Sequence, residues 1–428
     1  MNKEAECTLS NIGQMSQGSL IQRDIVDAGY VAVQPTIKNS SIVEFHIDSG
    51  DNFIDLNKSE LEVKFRIKKA DGTNLAEGEK VAMINYPIAT MFSSIQVTLN
   101  DKTITHGDSN YAERAIMETL LTYGIDASKN WLQAGLFYKD TAGKMDSGDP
   151  TQENGNLGLK QRAEFTSKSK LATVRGKLHL DIFNQPKPLI NNSRLHVKLT
   201  QNKDAYVLMS GEADPHYKVE IKDIILWVRK LIVSDQVQKS IIGRSVIMPL
   251  TRAIQREFTI TPGGRTFVEN NLHNGQLPTK LIMGLVRNDA HVGSYKHNPL
   301  NFQHFDVSKV SLFLNGQIVD GRPLSFDFGN DDYIDGFWGL SRAANHRYFN
   351  DGTLITRKDY KSGYTLWSYD LTPSQCDEQF NDPKKRGTLT AEFEFAKNIP
   401  TPLTLCVYFQ FDSEIIINEG GSVVTLFE

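Results

Sequence analysis

Three acidic residues, Asp331, Asp332 and Asp335, stand beside Phe337 and Trp338. Carboxylates next to aromatic faces are the equipment of a glycosidase or of a calcium-binding lectin. The plainer reading is a loop whose rings plug a sandwich end or a subunit interface. His291 and His297 flank Tyr295, and His304 follows. Three imidazoles could share a metal, but these read as solvent-exposed loop histidines. Gly143-Lys144 is followed by Met145 and lacks the earlier glycine that a phosphate-cradling loop requires. H-E-x-x-H, C-x-x-C and G-x-S-x-G are all missing from the chain. Lys384-Lys385-Arg386 reads as a solvated turn, with weak contact to an anionic polymer as the alternative. Trp227 and Trp367 lie in strand-like segments and read as core or interface. No catalytic, cofactor-binding or metal-binding residue is therefore assigned, and the chain is read as a non-enzyme.

The elements that hold these residues are mostly strands. Glu60 to Lys68 alternates charged and apolar residues without a break, as a strand with one wet face and one core face does. Ile95–Leu99, Lys177–Ile182, Leu195–Leu199, Val310–Leu314 and Thr390–Phe395 read the same way. Ile221–Val233 is longer and more apolar, which predicts burial on both faces. Such alternation favours antiparallel sheets. Asn315-Gly316, between Leu314 and Ile318, is a strong hairpin signal because both residues accept positive φ, and Asn100-Asp101 holds the matching place earlier on. One helix is expected over Tyr111–Tyr123, with Asn110 as cap, Glu113 closing a capping box and Gly124 ending it. A second short helix is expected over Asn130–Phe137, and Met145–Leu159 reads as an exposed loop.

Four short patterns recur at about half the chain length. Glu44-Phe45-x-Ile47-x-x-Gly50 returns at Glu257–Gly263, 213 residues on; Phe53-Ile54-Asp55 returns as Phe267-Val268-Glu269, 214 on. Ile95–Asp101 returns at Val310–Gly316, offset 215, and Pro186–Leu189 at Pro400–Leu403, offset 214. This argues for a duplicated domain, with Ser49–Asp51 and Pro262–Gly264 as corresponding turns. A count of about eight strands per half suits a jelly roll. The expected architecture is all-β: a tandem double jelly roll of two eight-stranded antiparallel sandwiches, with one or two short helices in the loops. Its expected divisions are an N-terminal arm over 1–40, a first jelly roll over 41–238 and a second over 239–428.

With 428 residues the chain is long enough for two domains. A net charge of −4, from 47 basic and 51 acidic residues, gives no sign of a nucleic-acid surface, and the first 30 residues form no basic arm. Cys7, Cys376 and Cys406 are too few for a disulfide framework and suit a reducing compartment, with Cys406 read as a buried hydrophobe. The N-terminus lacks a signal-peptide core, and no apolar stretch approaches the roughly 20 residues of a membrane span.

Several stretches carry a family resemblance. They are Phe53–Leu56 leading into Leu61–Gly72, Ala112–Gly124, Phe137–Asp146, Gly275–Pro278, Gly293–Phe302 and Gly363–Pro373. In this order they resemble the double jelly-roll, hexon-like major capsid proteins of Polinton/Maverick elements and adintoviruses. Tyr364–Pro373 followed by Leu389–Phe395 also resembles the second jelly roll of capsid proteins of large DNA viruses. The resemblance runs from about residue 50 to the C-terminus; the first 45 residues do not share it. It implies a homotrimer with a pseudo-hexagonal outline, tiling an icosahedral shell around double-stranded DNA. Implied partners are neighbouring capsid trimers and the penton and minor capsid proteins, with no specific nucleic-acid site and no cofactor. The implied location is the virion capsid, after synthesis in the cytoplasm or nucleus of a host cell. Lys102–Asn156 and Gly321–Tyr364 are the expected outward faces. A carbohydrate-binding or carbohydrate-cleaving double β-sandwich is the competing reading, and a host-domesticated copy that keeps only the trimer is a third.

Overall fold

The computed structural model describes residues 24–105, 110–241, 243–344, 352–373 and 383–425. Cys7 and Cys376 lie outside them. The first sandwich uses eight strands: β1 (Ile25–Val33), β2 (Ile42–Asp48), β3 (Phe53–Lys69), β4 (Phe92–Leu99), β5 (Lys102–Thr103), β6 (Ala172–Gly176), β7 (Arg194–Gln201) and β8 (Tyr217–Val233). The second uses eight more: β9 (Val246–Ile260), β10 (Thr266–Gln276), β11 (Lys280–Arg287), β12 (Val307–Leu314), β13 (Gln317–Ile318), β14 (Leu366–Asp370), β15 (Arg386–Phe395) and β16 (Leu403–Ile417).

Sheet order makes the duplication explicit. The first sandwich has sheets β1-β8-β3-β6 and β2-β7-β4-β5; the second has β9-β16-β11-β14 and β10-β15-β12-β13. Adding eight to every strand number of the first pair gives the second pair, and all these pairings are antiparallel. Both halves are thus jelly rolls of one topology.

Strand β3 shows why the sequence folds this way. Leu61, Val63, Phe65 and Ile67 are fully buried, while Glu62, Lys64, Arg66 and Lys68 between them face outward. Each buried side chain contributes about 1.5–3 kcal/mol, so a slip of one residue would exchange the faces and forfeit the whole set. The hairpins follow their turn residues. Asn315 and Gly316 have φ of 50° and 80° between the paired Leu314 and Gln317. Asn100 and Asp101 have φ of 46° and 66° between Leu99 and Lys102.

The strand order overturns three of the four sequence repeats. Residues 44–50 run from β2 into its turn, whereas 257–263 end β9, the counterpart of β1. Phe53–Asp55 opens β3 but Phe267–Glu269 lies in β10, the counterpart of β2. Pro186–Leu189 precedes β7, while Pro400–Leu403 leads into β16, the counterpart of β8. Only the β4–β5 and β12–β13 hairpins are equivalent. The 44–50 match is generic: an apolar strand ending in a positive-φ glycine, Gly50 or Gly263, looks alike at any tight antiparallel connection. Ser49–Asp51 and Pro262–Gly264 are accordingly turns at different places in their rolls.

Other local expectations also change. Lys177–Ile182 forms no strand; its end enters helix α3 (Asp181–Asn184), because Asp181 is drawn into a buried ion pair. β8 is not buried on both faces. Ile224, Leu226 and Val228 point inward, then Leu231 and Val233, with register shifts at 221/223 and 227/229 resetting the phase. The 111–123 helix appears as α1 (Tyr111–Thr122), but Asn110 makes no side-chain cap, Glu113 is bound to Tyr206 instead of closing a capping box, and the helix ends at Tyr123 with Gly124 at a negative φ. Asn130–Phe137 holds a 3-10 turn over Trp131–Gly135. Met145–Leu159 is no free loop: Met145 is buried, and Asn156 caps a further helix, α2 (Leu157–Thr166), that the sequence did not signal. Between the rolls the chain runs through α4 (Asp235–Ile241), and α5 (Ile334–Ala343) packs on β14.

Candidate functional site

The densest set of buried charge lies where the two rolls meet. Helix α1 follows β5 in the long excursion before β6, and its apolar face, Ala112, Ala115, Ile116 and Leu120, joins the core. Of its charged residues, Glu113 and Arg114 are buried too and Glu118 is half-buried. Arg114 donates to Glu118 (2.9 Å) and pairs with Asp181 of α3; it also reaches the carbonyl of Ala253 in β9 (3.4 Å). The amide of Ala253 donates to the same Asp181 carboxylate (3.1 Å). Glu118 further contacts His179 Nδ1 (3.1 Å) and accepts from the Tyr408 hydroxyl of β16 (3.2 Å). Burial alone would raise the Glu118 carboxyl, but Arg114 and His179 outweigh it and hold it at about 2.

One turn earlier, Glu113 accepts from the Tyr206 hydroxyl (2.6 Å). His291 sits between Glu113 (3.3 Å) and Glu257 of β9 (2.9 Å), beside Cys406. Burial opposes charge on this imidazole, yet contacts with Cys406, Glu113 and Glu257 outweigh it and lift it to about 12. Burial likewise pushes the Cys406 thiol up to about 11, so Cys406 is an inert part of the joint. The imidazole thus lies between one buried carboxylate, Glu113, and one exposed carboxylate, Glu257, and it is the buried side that is costly to break.

The excursion continues as a strap over the second roll. Asp140 is fully buried and accepts from Arg162 (2.6 Å), Asn156 (2.9 Å) and Asn298 (3.1 Å). The Tyr364 hydroxyl donates to its carbonyl (2.8 Å). Asp146 accepts from the amide of Asn298 (2.8 Å) and from Asn301 (2.9 Å). Lys139 pairs with Asp359, and the Gly143 amide donates to Ser362 O (2.7 Å). The two longest excursions, expected as the outward faces, therefore bind each other at one end of the rolls. A cleft of about 820 Å³ opens there between Asp146, His304, Asp306, Lys361 and Lys397.

The sequence candidates are scattered rather than assembled. Asp331 pairs with Lys361 (2.6 Å) and Asp335 with Arg322 (3.0 Å). Phe337 packs on Tyr360 in a cluster with Phe326, Phe328 and Tyr333, a plug of rings rather than a sugar cleft. His304 stacks on Phe328 at 4.0 Å, and His297 lies 3.7 Å from Asp289. The three histidines are not free loop residues, and His291 is part of the joint. Among the described residues, no three His, Cys, Asp or Glu side chains are placed to hold a metal ion. Gly143-Lys144 binds protein backbone at Ser362 and Asn154. Lys384 and Lys385 are exposed, and Trp367 is fully buried against Phe393. Trp227 is half-buried, donates to Glu62 (3.0 Å) and stacks under Arg175. Reasoning from motifs missed the joint because its partners are up to 290 residues apart. One signal was legible: Glu113, Arg114 and Glu118 interrupt the apolar face of a helix that is otherwise core.

This architecture is the double jelly roll of viral major capsid structures. A chain of the Sputnik virophage matches with a TM-score of 0.67 at 12% identity, covering 96% of this chain and 90% of that one. The PBCV-1 virus capsid matches at 0.58 and 10%, covering 96% and 99%. The mavirus major capsid protein matches at 0.54 and 12%, covering 96% and 92%. An uncharacterized protein of Caenorhabditis elegans is 25% identical over 343 residues, 77% of this chain and 78% of that protein. No family model matches. Among the described residues no helix is long and apolar enough to cross a membrane.

Proposed function

We propose that this chain is a structural virion protein, the major capsid subunit of a double-stranded DNA virus or of an integrated viral element. It acts as a building block and not as an enzyme. One observation carries the reading: two rolls of identical strand order are held side by side through a polar joint around Arg114, Asp181 and His291, in the fold of the virophage and PBCV-1 capsid chains. A rigid twofold repeat suits threefold assembly, because three such chains present six similar rolls around a ring. On this reading the homotrimer tiles an icosahedral shell, with penton and minor proteins completing it, and the joined excursions face outward. The sequence resemblance supports Polinton/Maverick elements and adintoviruses as the source on this reading. On this reading the first roll ends near Gln238, within α4, and it begins at β1 rather than at residue 41, because Ile25–Val33 is a paired strand of its sheet and not part of an arm.

The test is assembly. Light scattering at micromolar concentration should give three times 48.1 kDa, and negative-stain images should show ring-like or hexagonal capsomers. A clean monomer would refute the proposal, since interfaces of this obligate kind exceed roughly 2,000 Å².

A further inference from the structure

Strands β11, β13 and β15 run one way and β12, β14 and β16 the other, so the connections that follow β11, β13 and β15 turn at one end of the second roll. The cleft of about 820 Å³ opens there. Gln303 to Asp306 line it from the first connection, Lys361 to Gly363 from the second, and Lys397 and Asn398 from the third. The strap closes the remaining side with Gly143 to Ser147, Gln152 and Asn154.

One wall of this cleft is strained. Phe305 and Asp306 have φ of 45° and 55°, at the centre of a turn closed by the Val307 amide on the His304 carbonyl (2.8 Å). Such a turn suits Asn-Gly, and a bulky phenylalanine in it is an outlier. Neighbouring groups hold it in place. The Ala396 amide donates to the Asp306 carbonyl (2.8 Å), Lys397 pairs with the Asp306 carboxylate (2.7 Å), and the Asp306 amide donates to His304 Nδ1 (2.9 Å). Strain that the surroundings enforce gathers at ligand-binding walls. Here it fixes the half-buried Phe305 in the lining.

The rest of the lining selects the ligand. The ammonium groups of Lys144, Lys361 and Lys397 are balanced by the carboxylates of Asp146, Asp306 and Asp331. Each is engaged: Lys361 with Asp331 (2.6 Å), Lys397 with Asp306, Lys144 with the Asn154 carbonyl, and Asp146 with Asn298 and Asn301. A charged ligand would have to displace one of these partners. What stays open is carboxamide. Among the described residues the side-chain amides of Asn154 and Gln303 make no hydrogen bond, and Gln152 and Asn398 use only their oxygens, toward Ser147 and Arg265. A carboxamide offers a donor and an acceptor side by side, which matches a hydroxyl that does both. The Phe305 ring can pack against the apolar C–H face of a pyranose.

We propose that this cleft binds a neutral oligosaccharide. Its chemistry is independent of the capsid reading; only its role, attachment of a shell to sugars on a host surface, rests on that reading.

The full-length protein should be retained on an array of immobilised neutral oligosaccharides of glucose, galactose, mannose and N-acetylglucosamine, with sialylated and sulfated oligosaccharides as the acidic arm. Asn154→Ala with Gln303→Ala should weaken the best-retained neutral sugar about tenfold in titration calorimetry, as the loss of two hydrogen bonds implies. Asn154→Trp, which fills the cleft from an exposed position, should abolish binding. Both variants should keep the wild-type circular dichroism spectrum and light-scattering mass. Retention of no sugar, retention on the acidic arm alone, or binding that both variants leave unchanged overturns the proposal. A trimer that fails in this way leaves the capsid reading standing. A monomer that binds a neutral sugar through the cleft upholds the site and overturns the capsid reading.

Discussion

The two jelly rolls share the pairings of their eight main strands and differ in almost everything between them. The first sends the excursion from β5 to β6 across to its neighbour, as α1, the strap around Asp140, and α2. The second folds its excursion, from β13 to β14, back on itself around Phe326, Phe328, Tyr333 and Tyr360, with α5 over β14. The contrast teaches that the sheets set a common frame, while loop chemistry decides which face of each roll is covered. The first excursion is held by buried charge and the second by stacked rings.

The largest way to break this contrast is at the strap. Arg162→Met should leave Asp140 buried without its cation and cost about 3–5 kcal/mol, read from the denaturant midpoint. Phe328→Ala in the ring cluster should cost a comparable 3–5 kcal/mol, as a cavity and without any salt dependence.

At the joint, Arg114→Met should cost about 3 kcal/mol and uncouple the rolls, turning one calorimetric transition into two. A single unchanged transition would show that the polar joint does not hold them together. Acid and alkali sharpen this result with opposite signs. Glu118 lies below its usual value when folded, so its stabilisation is full above about pH 4.5 and is lost as pH falls toward 2. His291 lies above its usual value when folded, so its contribution is full below about pH 6.5 and is lost as pH rises toward 12. In His291→Gln the alkaline loss should flatten while the acid loss remains.

The smallest effects belong to the equivalent hairpins. Gly316→Ala should cost about 1 kcal/mol, because φ of 80° strains an alanine even in open space. Asp101→Gly should gain about 0.5 kcal/mol at most, since it relieves the same strain but gives up an exposed pair with Arg194 (3.1 Å). Thermal midpoints of both variants measure the difference.

Much of the frame was legible in the residues. The alternation of Glu60–Lys68, the positive-φ pair Asn315-Gly316 and the buried Cys406 all stand where the pattern put them, because each depends on neighbours within a few positions. The repeats were less informative than they looked. A strand that ends in a glycine turn resembles any other such strand, and of the four repeats only the hairpins at 95–101 and 310–316 marked true equivalents. α2 escaped notice because its burial comes from contact with distant strands rather than from a periodic apolar face.

By itself, then, the sequence determined that the chain is built of antiparallel strands with one wet face each, that there are enough of them for two sandwiches, and where the tightest turns fall. Period-two burial and positive φ are local properties, written in adjacent residues. Only the tertiary structure decided which strands are counterparts, that Glu113, Arg114, Glu118 and His291 form a joint, and that Ala253 of β9 is tied to the first roll through Arg114 and Asp181. Those outcomes depend on charges hundreds of residues apart finding one another in a dehydrated space, where pairing is worth far more than it is along an exposed strand.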